Sequence, residues 1–103
     1  MKTFKYLQAL LNIFGITSIP DLLWQGKLLV FTYHAKEELE ALNKYEEYVL
    51  SVLERGTHYL VAKKQHKYNC FAPYQEKYVC VSYVIHESSV IVIHIKPTNK
   101  KQP

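Results

Sequence analysis

His94, Ser82, Tyr68 and Lys96 could do acid–base chemistry if the strands that carry them bring them to one face of a sheet. An imidazole beside a hydroxyl can take or return a proton, and a neighbouring ammonium can hold the anion that develops. No acidic third member is evident, so the set does not spell a serine nucleophile oriented through a carboxylate. The plain alternative is the solvated face of an antiparallel sheet. His34, in Thr32-Tyr-His-Ala-Lys-Glu37, falls where a strand hands over to a helix. Unpaired amides there favour a neutral ring that could accept a proton, or one that bonds the neighbouring strand and fixes the turn.

Five histidines and two cysteines raise the question of a metal, with Cys70, Cys80 and His94 as conceivable ligands. Their spacing matches no zinc pattern, and the expectation is a chain with no metal and no cofactor. Two cysteines cannot build a disulfide framework; reduced thiols in a cytoplasmic protein are expected, with a single cross-strand Cys70–Cys80 bridge as the alternative.

The elements that must position these groups follow from hydrophobic period. Phe4, Leu7, Leu10, Leu11 and Phe14 recur at helical steps up to Gly15, which predicts an amphipathic first helix packed on the domain. Ser18-Ile-Pro-Asp21 starts a short second helix through Leu22, Leu23 and Trp24. Lys27-Leu-Leu-Val-Phe-Thr-Tyr33 has strand content, and a helix capped by Thr32 follows with Ala35, Leu39 and Leu42 inward. After a break at Asn43, Tyr45, Tyr48, Val49, Val52 and Leu53 form another apolar face that ends at Arg55-Gly56.

From Thr57 onward the pattern becomes a β-meander: residues 57–62, 67–72, and a final hairpin of 77–86 and 90–97. A three-residue loop at 87–89 sets Ser82 opposite His94, Cys80 opposite Lys96 and Val84 opposite Val92. Ile91, Ile93 and Ile95 then face Val81, Tyr83 and Ile85 on the covered side. Extending that register across the preceding turn pairs Cys70 with Cys80 and sets Tyr68 beside Ser82.

The expected fold class is therefore α+β, an antiparallel β-meander of about four strands with helices packed on one face. Its 103 residues suit a single domain, with 1–26 as a helical extension, 27–97 as the core and 98–103 as a flexible tail. The formal charge of +4 comes almost wholly from lysine. Nine tyrosines, five of them in the meander, interleave there with Lys63, Lys64, His66, Lys67 and Lys77. Aromatics beside cations suit flexible RNA, although tyrosine is also simply a good strand former. No stretch approaches the roughly 20 apolar residues of a membrane span, so no membrane partner is expected.

The order strand, Thr-Tyr-His-Ala helix, second helix closing in Leu53-Glu-Arg-Gly56, and meander ending in Val90-Ile-Val-Ile-His-Ile-Lys-Pro97 resembles a family of small bacterial and archaeal domains of unknown function. Those domains are themselves similar to toxins of the RelE and BrnT type. The resemblance covers residues 27–97. It implies RNA cleavage on the open sheet face and neutralisation by an antitoxin partner. His94 or His34 would act as acid or base, Lys64 and Lys96 would hold phosphate, Tyr83 or Tyr68 would position it, and Ser82 would add a substrate contact. This sheet offers Lys64, Lys96 and His94 in place of the arginines common in active members. The competing expectation is a non-catalytic interaction module or homodimer, built on the N-terminal helices or on an exposed patch of Val84, Val90 and Val92.

Overall fold

The computed structural model describes residues 22–102. The expected helix over 4–14 and the start of the second one lie outside them. Leu22, Leu23 and Trp24 do not continue a helix: Leu23–Trp24 is a short strand, β1, which turns through Gln25 and Gly26, both at positive φ, into β2 (Lys27–Phe31). Thr32 then caps helix α1 (Tyr33–Ala41), its Oγ1 accepting the Ala35 amide at 3.1 Å. Asn43, at φ 57°, closes α1 in a left-handed cap. The Asn43 and Lys44 amides return to the Glu40 and Leu39 carbonyls there. Helix α2 (Glu46–Arg55) follows, then β3 (Thr57–Ala62), β4 (Lys67–Tyr74), β5 (Lys77–His86) and β6 (Ser89–Thr98).

The six strands form one sheet in the order β1-β2-β6-β5-β4-β3. The meander β3 to β6 is antiparallel as expected, but β2 joins it parallel to β6, so the sheet is mixed and larger than about four strands. β4 runs through Pro73 to Tyr74, where a break was expected. β3 pairs only as far as Phe71, so the missing amide of Pro73 leaves no ladder bond unmade on that side. Its carbonyl accepts from Arg55 Nη1 instead.

The terminal hairpin departs from the expected register in two places that compensate. The turn holds two residues, Glu87 and Ser88, with His86 paired to Ser89, so Val84 meets Ile91 rather than Val92. A bulge at Ile93, between the Tyr83↔Val92 and Ser82↔His94 pairs, then absorbs one residue. Beyond it the expected pairs Ser82↔His94 and Cys80↔Lys96 hold. The change of parity puts Val90 and Val92 in the core, both fully buried, which removes the exposed valine patch. The Cys70↔Val81 and Asn69↔Ser82 pairs likewise replace the Cys70–Cys80 and Tyr68–Ser82 pairs.

Both helices contribute to the core beneath one sheet face. Ala35 and Leu39 of α1 and Val49, Val52 and Leu53 of α2 join Leu29, Phe31, Cys70, Val79, Val81, Tyr83 and Ile95. Each fully buried Val, Leu or Ile there is worth about 1.5–3 kcal/mol. A polar knot lies inside this layer. His58 Nε2 donates to the Leu53 carbonyl (2.8 Å) while Nδ1 accepts from Tyr83 OH (2.7 Å). Trp24 stacks on the His58 ring and Tyr68 on the Tyr83 ring. Gly56 has no room for a side chain at the α2–β3 joint, since a Cβ would lie 2.5 Å from Cys70 Sγ and 2.6 Å from the Val52 carbonyl oxygen.

Lys36 of α1 and Glu46 at the start of α2 form a largely buried ion pair. The hydrogen bond from Lys36 holds the Glu46 carboxyl below its ordinary pKa, against the opposing effect of desolvation. A depressed carboxyl stabilises the fold above its ordinary titration range and loses that contribution as pH falls through the lowered value. Glu46→Gln should therefore cost about 0.5–1 kcal/mol in urea denaturation at pH 7. In strong acid, where Glu46 is itself protonated, the variant and the wild type should converge.

Candidate functional site

β2 accompanies β6 only as far as Val92, and from there α1 runs beside the uncovered edge of β6. The junction is stitched by Thr32, whose amide bonds the Val92 carbonyl (3.1 Å) and whose hydroxyl donates to the carbonyl of the bulged Ile93 (3.4 Å). One turn into α1, Glu38 Oε1 accepts the Ile95 amide at 3.0 Å. A carboxylate thus stands where, among the described residues, no strand continues along this edge.

Around Glu38 gather three nitrogen-bearing side chains. His34, one helical turn earlier on the same face, brings Nε2 to 3.6 Å from Oε2. His94 Nδ1 lies 3.4 Å from Oε1, and Lys96 Nζ 3.8 Å from Oε2. The two imidazoles meet edge to face with centroids 4.9 Å apart. His94 Nδ1 is shielded from solvent yet has no aligned hydrogen-bond partner. Glu38 itself is mostly covered, whereas His34 and Lys96 are exposed, so the group opens to solvent on one side. His34, Glu38 and His94 offer three donor atoms that lie within 4.8 Å of one another, a set able to hold a cation.

His94 and Lys96 also line a shallow depression of about 420 Å³ on the outer sheet face, with Asn69, Phe71, Cys80, Ser82 and Lys100. Ser82 Oγ donates to Asn69 Oδ1 at 2.7 Å, so its proton is directed away from His94. The structure therefore brings together His34, His94 and Lys96, with Ser82 nearby. Lys64 lies apart, in the β3–β4 turn, lining a second depression with His66, Lys67 and Val84. Tyr83 and Tyr68 are on the opposite face: Tyr83 is 2% exposed, its hydroxyl bonded to His58 and its pKa raised by burial. Neither tyrosine shares the outer face with His94, which corrects the expectation that they would position a substrate there.

Glu38 is the residue that sequence reasoning passed over. It reads as one acid among several on the solvated side of a helix, but its four-residue spacing from His34 is the signal that pairs them. The cation-ligand set also differs from the one considered on spacing: Cys70 points into the core and Cys80 lies on the outer face, both as free thiols. No family model matches the chain, and neither a curated protein nor a solved structure matches it.

Burial raises the thiol of Cys70 to about 12 and raises that of Cys80 as well. At neutral pH neither supplies appreciable thiolate, which is the reactive form. A disulfide reagent at pH 7.5 should label the native protein many-fold more slowly than the denatured protein, where both thiols titrate normally. Rapid native labelling of Cys80 would show a thiolate in the depression.

Proposed function

We propose that this domain contacts RNA through the outer face around His94 and cleaves it, in the manner of a RelE/BrnT-type toxin held in check by an antitoxin. The observation that carries the reading is the pairing of two imidazoles with a carboxylate and an ammonium beside a depression floored by polar strand residues. RNA supplies its own nucleophile, the 2′-hydroxyl. One imidazole takes that proton as the oxygen attacks the adjacent phosphorus, and the other protonates the departing 5′-oxygen. Lys96, with Lys100 at the rim, offsets the charge that grows on the phosphoryl oxygens. Glu38 orients His94 and His34, supplying the acid that the strand sequence lacks.

This chemistry needs the 2′-hydroxyl and both rings. Purified protein at low salt, where charge-driven contacts are strongest, should cut single-stranded RNA to 2′,3′-cyclic phosphate ends and leave the 2′-deoxy analogue intact. His94→Ala and His34→Ala should each lower the rate by about 10²–10⁴-fold. RNA that is neither retarded nor cut sinks the reading, as does cleavage that persists in both variants.

A second reading, a non-catalytic module that pairs with a second copy, is favoured by β3. Among the described residues that strand ends the sheet on its side, and its Leu60 and Val61 are 52% and 47% exposed. An apolar edge with unpaired amides is a template for strand addition. Sedimentation velocity should then show a dimer at high concentration that Leu60→Lys with Val61→Lys abolishes. A monomer at every concentration counts against it.

A further inference from the structure

We propose that His34, Glu38 and His94 form a binding site for a borderline divalent cation of the Zn²⁺ class. Binding does not depend on the RNA reading. Two imidazole nitrogens and a carboxylate are the donor types that such ions select, with a fourth position left to water.

The distances are already close to those required. Around an ion with bonds of about 2.0–2.1 Å, tetrahedral donors sit roughly 3.3–3.5 Å apart. His94 Nδ1 and His34 Nε2 stand 3.4 and 3.6 Å from the two oxygens of Glu38, and the whole set falls within 4.8 Å. His34 is the freest of the three to adjust, with a side chain 55% exposed at the first turn of α1. Glu38 is anchored by the Ile95 amide, an outer-shell contact of the kind that orients a metal-binding carboxylate. Among the described residues His94 Nδ1 is out of solvent without an aligned hydrogen bond, so that nitrogen is not committed to another partner. The exposed side of the group supplies the path for the ion and the place for water.

Lys96 opposes the ion. Its ammonium, 3.8 Å from Glu38 Oε2, occupies part of the volume that the cation's charge would take. The side chain is 62% exposed on a flexible stem and can swing into solvent, so it competes with the ion without blocking it. Binding would also replace the contacts by which Glu38 orients His34 and His94, making Zn²⁺ an inhibitor of the cleavage proposed above.

The test uses the full chain, titrated with Zn²⁺ against a chromophoric chelator and, separately, with Co²⁺ followed by visible absorption. One ion per chain is expected. His34→Ala and His94→Asn, checked for fold by circular dichroism, should each weaken binding by more than the about 10- to 100-fold that loss of an outer-shell partner costs. Lys96→Met should tighten it several-fold, and His66→Ala, on the β3–β4 turn, should leave it unchanged. The Co²⁺ spectrum should show d–d bands without thiolate charge transfer. Equal affinity in wild type and His34→Ala, no tightening in Lys96→Met, or a thiolate band would each overturn the assignment. Zn²⁺ binding in a protein that never cuts RNA would uphold the site and reject the nuclease reading alone.

Discussion

Strand β6 outlasts its neighbour, and the backbone groups it leaves uncovered must be bonded by something. β2 reaches only Val92. Past that point the Val92 and Ile93 carbonyls go to Thr32, and the Ile95 amide goes to the Glu38 carboxylate. Leaving such groups unmatched costs about 1–3 kcal/mol each where water is excluded. Helix α1 is thereby locked along the edge of β6 in one axial position. That position brings the face carrying His34 and Glu38 against the stretch carrying His94 and Lys96. The cluster of titratable side chains is a by-product of satisfying an incomplete sheet.

The same economy governs the covered layer. Two of the tyrosines that read from sequence as stacking platforms for a ligand, Tyr83 and Tyr68, are instead turned inward, and the interior offers the hydroxyl of Tyr83 a partner. Tyr83 keeps its hydroxyl on His58, His58 keeps its other nitrogen on the Leu53 carbonyl, and Trp24 and Tyr68 close the stack from either side. A satisfied polar group inside the core removes the penalty that would otherwise keep it at the surface.

Much of this is legible in local chemistry. Thr32 as a cap, Asn43 as a stop and Gly56 as the end of α2 all act on backbone within a few residues of themselves, so their types suffice to place them. The hairpin is more instructive. Val90-Ile-Val-Ile93 is apolar at every position, so alternation carries no information about which side is inward, and a bulge there is invisible to period. The assumed three-residue loop and the unseen bulge each displace the register by one, and the displacements cancel beyond Ile93. That is why Ser82 and Cys80 find their expected partners while Val84 does not. Glu38 and the parallel β2–β6 pair were illegible for another reason: both depend on contacts between segments distant in the chain, which a single sequence does not record. β1 is a different case, since Leu23 and Trp24 pair locally with Leu28 and Lys27 across the Gln25-Gly26 turn.

The contacts that join α1 to β6 connect residues 57 to 61 positions apart. Separations of that size defer closure to a late stage of folding, after the local hairpins have formed. During synthesis His34 and Glu38 leave the ribosome long before His94 and Lys96, and a half-made chain holds no paired set of imidazoles. A domain built this way assembles the His34, Glu38 and His94 cluster only once the β6 segment has taken its place between β2 and β5.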